Sequence, residues 1–204
     1  MSQIINLKTR EIRWFFSSAP RETVRWFQGL PPDAYTRETR EDIYLVLPGR
    51  KDVGIKFREN RLELKYRYGV RPTHETAPGI TGYLETWEKL GFELSPETRN
   101  AVLPADSGAL RLPVEKSRWA TLVRERGTGL EFHPLGTPLP EYIQVEYTQL
   151  RIRGAQWYTF GLEWPETGDS SLPDALLSNL RDPGVFVIEN SMGYPEFLQG
   201  FINK

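Results

Sequence analysis

"GIKFRENRLELKYR", residues 54–67, packs five basic side chains and two glutamates into fourteen positions without losing a regular apolar beat. In a strand, successive side chains point to opposite faces, so the parity of a position sorts residues by environment. Val53, Ile55 and Phe57 fall on one side, with Lys56 and Arg58 on the other. Beyond a turn at Asn60, Leu62, Leu64 and Tyr66 oppose Glu63, Lys65 and Arg67. The pattern is that of an antiparallel hairpin with one apolar face and one cationic face. A polar stripe of this kind ordinarily meets water. A solvated face usually mixes its signs, because like charges opposite one another destabilise by a few tenths to about 1 kcal/mol. Here Lys56, Arg58, Lys65 and Arg67 share a face with one glutamate, so the clustering points to an anion.

Working outward, further short segments rich in aromatic and β-branched residues read as strands: 11–16, 42–48, 119–126, 141–153 and 157–164. The turn "RGAQ" (153–156) joins the last pair. Helical signals are fewer. "GYLETWEKLGFEL" (82–94) spaces Tyr83, Trp87, Leu90 and Leu94 by three and four, one apolar helix stripe. Ser171 is placed to cap a helix over 172–180, Gly29 to end one over 21–29, and 195–203 reads as a closing helix. The expected class is α+β, mostly antiparallel β, with peripheral helices.

The 204 residues suit a single domain spanning 1–204, and no low-complexity linker divides them. With 26 Lys+Arg against 27 Asp+Glu, no long-range field draws the whole molecule to nucleic acid or an anionic membrane, so neither is an expected partner and any anion site is local. The absence of cysteine excludes thiolate metal sites and fits a reducing compartment. The charged start and the lack of a long apolar run make the cytoplasm the expected location.

Cations and carboxylates recur at strand spacing. Lys116 and Arg118 stand two apart, Glu11 accompanies Arg13, Glu146 lies between Gln144 and Thr148, and Glu163 closes "FGLEW". If the strands curl into one closed sheet, these polar parities share an interior. A barrel lined by arginine, lysine and a few carboxylates suits phosphate. Arg151 and Arg153, by contrast, read as exposed charges at a hairpin end.

The residues also resemble a family. "VGIKFRENRLELKYR" resembles the paired strands of the CYTH proteins, or triphosphate tunnel enzymes. "IQVEYTQLRIRGAQWYTFGLEW" is similar to their late hairpin, and "GYPEFL" (193–198) to the start of their closing helix. The resemblance implies a closed or nearly closed antiparallel tunnel of about eight strands, binding triphosphate-type ligands. It further implies hydrolysis with Mg²⁺ or Mn²⁺, the cations neutralising phosphate oxygens and the carboxylates holding the metal.

On this resemblance Lys56, Arg58, Lys65 and Arg67 form the phosphate clamp, joined by Arg118. Glu11, Glu146 and Glu163 are the catalytic metal ligands, or else ion-pair partners of the neighbouring arginines. The first strand departs from the family's E-x-E-x-K, having Glu11, Arg13 and Phe15 in "EIRWF". Losing one of about three or four carboxylates and gaining a cation weakens a metal site. Arg13 still suits phosphate, because its planar fork matches the oxygens. The expected function is therefore binding of a phosphate-rich small molecule, with metal-dependent triphosphate hydrolysis or, alternatively, non-catalytic sensing.

Other signals carry less. His74 and His133 read as loop residues without a second histidine at metal spacing, and no P-loop, dinucleotide turn or nucleophile elbow occurs. The six tryptophans fall mostly on apolar parities and read as core or outer packing. An outward aromatic left exposed would mark a homodimer contact.

Overall fold

The computed structural model describes residues 5–77, 79–102, 110–126, 129–139, 141–166, 176 and 184–202. The strands are β1 (Ile5–Phe16), β2 (Thr36–Val46), β3 (Val53–Arg58), β4 (Arg61–Tyr68), β5 (Thr73–Ala77), β6 (Ile80–Tyr83), β7 (Glu85–Glu93), β8 (Leu110–Arg126), β9 (Gly129–His133), β10 (Ile143–Ile152) and β11 (Ala155–Pro165). The helices are α1 (Arg21–Gly29), α2 (Pro96–Val102) and α3 (Tyr194–Gln199), with a 3₁₀ turn at Ile188–Asn190.

Eight strands run β10-β11-β1-β7-β4-β3-β2-β8, every neighbouring pair antiparallel, and β8 pairs again with β10 to close a barrel. β9 extends the far end of β8, while β5 and β6 form a separate ribbon. Closure leaves none of the eight without partners on both sides. The two tight reversals are those the sequence marks. Glu59, before Asn60, has φ +52°, and Arg153–Gly154 has φ +48° and +80°, the left-handed backbone that a two-residue hairpin turn requires.

Parity separates two apolar clusters. The outward row of β1, Ile12, Trp14 and Phe16, packs with Val145, Tyr147, Phe160, Leu162 and Trp164 under Phe27 of α1 and Phe186. The inward row at one barrel end, Phe15, Val46, Leu112, Val114, Leu150 and Ile152, receives Phe197, Leu198 and Phe201 from the C-terminal helical segment. Each such large side chain is worth about 1.5–3 kcal/mol when fully buried. α3 begins with Pro195 in its first turn, where a missing N–H costs nothing. It is tied to the barrel by Gln199, whose side chain donates to the carbonyls of Leu47 and Arg50 and accepts from the Gly49 amide. One end of the barrel is thus stoppered, and the polar rows occupy the rest.

Three sequence expectations change. Residues 82–94 are not a helix but the end of β6 and all of β7. Parity rather than helical spacing governs there: Glu85, Trp87 and Gly91 are buried, and Trp87 packs inside the barrel beneath Lys65, whose ammonium lies 4.5 Å from the ring centroid. The histidines sit on strands, His74 in β5 and His133 at the end of β9. The closing helix spans 194–199 rather than 195–203. The helix expected over 172–180 lies outside the described residues except for Leu176, which is helical and buried. Trp14, Trp87 and Trp164 are buried, as apolar parity or packing requires. Among the described residues no helix is long and apolar enough to cross a membrane.

Candidate functional site

Inside the barrel lies a cavity of about 330 Å³ whose lining contains nine basic residues and four carboxylates. Its floor is set by Tyr194 and Pro195, at the start of α3. At the opposite end Arg61 pairs with Glu93 and both side chains are substantially exposed, 40% and 49%, marking the mouth.

One wall is built on β2, β3 and β8. Its centre is Asp42, wholly buried on the inward row of β2. Lys116 Nζ lies 2.9 Å from its Oδ2, Arg40 Nε and Arg58 Nε each 3.2 Å from Oδ1, and Lys56 Nζ 3.8 Å from Oδ2. Lys116 also donates to the Tyr44 hydroxyl at 2.7 Å. Glu63, opposite Lys56 in the β3–β4 register, takes up Lys56 at 2.8 Å and Arg58 at 3.4 Å. Cations outnumber carboxylates here, and most of them are withdrawn from water. Burial lowers Lys116 to about 7: Asp42 opposes the fall, while Lys56 and Arg40 add to it. Burial likewise lowers Lys56 to about 8, with Arg58 adding to the fall against Asp42 and Glu63. For Asp42 burial works upward, but Lys116, Lys56, Arg58 and Arg40 together hold it far below the usual carboxylate range.

The facing wall, on β1, β10 and β11, is organised around Arg13. In register, Arg13 of β1 stands opposite Gly161 of β11, and Gly161 stands opposite Glu146 of β10. Because the middle strand has no side chain there, Arg13 crosses it to reach Glu146. A Cβ on Gly161 would lie 2.7 Å from Arg13 Cζ. The guanidinium donates from Nε to Glu11 Oε1 at 2.7 Å and from Nη1 to Glu146 Oε1 at 2.9 Å, and Cζ lies 5.1 Å from the Tyr194 ring centroid. The second oxygen of Glu11 accepts from Lys65, and that of Glu146 from Arg118 Nε at 2.6 Å. Glu163, opposite Glu11 in the β1–β11 register, accepts from Lys89 of β7. Burial would push Glu11 up, yet Lys65, Arg13 and Lys89 hold it well below the ordinary range. Arg118, Arg13 and Lys116 do the same for Glu146 against the same burial.

The barrel gathers Glu11, Arg13, Lys56, Arg58, Lys65, Arg118, Glu146 and Glu163 around one cavity. Arg67 shares the inward row but lies outside the cavity lining, donating to Glu85, which also receives Arg71. Sequence reasoning missed Arg40, Asp42, Tyr44, Lys89, Arg61 and Tyr194. Arg40, Asp42 and Tyr44 sit at alternating positions of "TREDIY", a signal hidden because both parities of that segment carry charge.

The carboxylates do not fit a divalent metal as they stand. Among the described residues no group of three or more metal-ligating side chains is gathered. All four oxygens of Glu11 and Glu146 accept from the chain's own cations.

No family model matches the chain, and no curated protein does. Among solved structures, the chain is similar to a conserved hypothetical protein of Pyrococcus furiosus at 16% identity, covering 83% of this chain and 85% of that one, with a TM-score of 0.39. It is also similar to the PH1012 protein of Pyrococcus horikoshii OT3 at 16% identity, covering 95% and 99%, with a TM-score of 0.43.

Proposed function

We propose that the tunnel binds a phosphate-rich small molecule of the triphosphate class. The observation that carries this reading is the lining, nine basic residues against four carboxylates around one cavity. Cations forced together away from bulk water repel one another, and a multiply charged anion relieves that repulsion while accepting charge-assisted hydrogen bonds. Lys56, Arg58, Lys65 and Arg118 face the ligand, joined by Arg40, Lys89 and Lys116. The resemblance of the hairpin at 54–67 and of "GYPEFL" to the triphosphate tunnel proteins supports the same ligand class. Arg61 and Glu93 frame the entrance, and Tyr194 and Pro195 set the depth. Hydrolysis with Mg²⁺ or Mn²⁺ held by Glu11 and Glu146 would require oxygens that are already engaged, so the geometry supports binding over turnover.

Titration calorimetry with tripolyphosphate is the direct test. Saturable one-to-one binding that weakens at high salt and in Arg58→Ala is expected. An absence of heat at any accessible concentration, with the chain folded, rejects the reading and leaves a barrel whose cations serve its own ion pairs.

A further inference from the structure

We infer that Arg13 is a tethered counter-ion: its guanidinium, seated between Glu11 and Glu146, takes the place that a divalent metal would occupy, so the tunnel accepts its anion without one. The anion half rests on the reading proposed above; the counter-ion half stands on the geometry of β1, β10 and β11 alone.

Three observations converge. The first is position: among the described residues Arg13 is the one group that touches both carboxylates, 2.7 Å from Glu11 and 2.9 Å from Glu146. The second is construction. The side chain is 6% exposed and runs across a position where any Cβ would collide with it, so Gly161 opens the path. The third is saturation. The outer oxygens of the same two carboxylates are held by Lys65 and Arg118, leaving a metal no oxygen free of an ion pair, and a divalent ion would meet three cations at contact range. Arginine keeps its charge at every working pH, and its flat fork bonds two carboxylates at once. A bound ion can leave, whereas a tethered one cannot.

The test uses Mn²⁺ as the probe, followed by electron paramagnetic resonance and by thermal shift, on wild type, Arg13→Glu, and Arg13→Glu combined with Glu146→Gln. Wild type is expected to take no stoichiometric Mn²⁺. Arg13→Glu gathers three carboxylates around the vacated space and is expected to bind one Mn²⁺ per chain with a rise in Tm, which the added Glu146→Gln removes. Tripolyphosphate binding to wild type is expected to be as tight in EDTA as in Mg²⁺, within about twofold. Stoichiometric Mn²⁺ binding by wild type that Glu11→Gln abolishes overturns the inference. So does a folded Arg13→Glu chain that takes no Mn²⁺, or tripolyphosphate binding that requires Mg²⁺. If Arg13→Glu does not fold, the wild-type titrations alone decide. Should tripolyphosphate bind in neither buffer, the anion reading fails while the Mn²⁺ result still judges Arg13.

Discussion

The two walls of the tunnel solve opposite electrostatic problems with the same residue types. Around Arg13, carboxylates enclose a cation and every oxygen of Glu11 and Glu146 has a partner. Around Asp42, four cations crowd one buried carboxylate and two of the lysines lose basicity. The first wall is satisfied by the protein itself; in the second the cations share Asp42 and Glu63, and on the proposed reading an anion completes the set. Buried ion pairs add little net stability but are costly to break from one side. On the proposed reading, breaking the first wall is expected to cost mainly stability, and thinning the cations of the second mainly anion affinity.

Mutations can break that division. The largest effect is expected from Glu146→Gln, which strips Arg13 and Arg118 of their shared partner. Removing one side of a buried pair costs about 3–5 kcal/mol, read as a fall in the urea midpoint. If Glu146→Gln is neutral in stability, the Arg13 wall is not the structural one. Next, Arg58→Ala or Lys56→Ala is expected to weaken tripolyphosphate binding by about 1–3 kcal/mol by calorimetry, with a smaller change in the midpoint. Equal affinity in both variants would place these side chains outside the ligand's reach.

A pH titration sharpens the contrast. Lys116, lowered to about 7, and Lys56, lowered to about 8, are charged in acid and lose their protons as pH rises through those values. Anion affinity should fall from pH 6 to pH 9, by up to about tenfold per unit for each lysine the anion holds charged, with proton uptake on binding near neutrality. For stability the sign reverses. The unfolded chain keeps these lysines protonated to about pH 10, so from about pH 7 to 10 it binds more protons than the folded form, and their contribution to stability rises with pH. Calorimetry in buffers of different ionisation heat measures the uptake; a flat profile would show that the lysines keep their charge throughout. The smallest change is expected from Glu63→Gln, which releases Lys56 and Arg58 and should tighten binding by less than about 1 kcal/mol.

The hairpin at 54–67 was readable because its outward face is uniformly apolar, so the charged parity had to be the other one. The same alternation repeated in β1, β10 and β11 made a shared polar interior the expectation once the sheet closes, while the closing helix was legible separately in "PEFLQGFIN". β2 was only half readable. In "TRETREDIYLV" the outward positions also carry Arg37 and Glu41, so charge no longer marks a face, and Arg40 and Asp42 went unnoticed. In β7 the interior itself misled. Trp87 points inward among Glu85, Lys89 and Gly91, an apolar residue on a polar row, and the remaining apolar residues then fall at helical spacing. No pattern within one strand discloses that Gly161 clears the way for Arg13, because that relation exists only across three neighbouring strands.

β1 is held on one flank by β7 and on the other by β11. The strand that bears Arg13 therefore waits for partners drawn from the middle and the late part of the sequence, and such long-range pairing is slow to form. During synthesis the cavity cannot be complete early: until β11 has emerged, nothing joins β10 to β1, and Glu146, though already made, is not held across the glycine gap from Arg13. If the cavity takes the anion proposed above, that ligand can reward only the finished molecule, and truncation ahead of β11 should abolish its binding outright rather than weaken it.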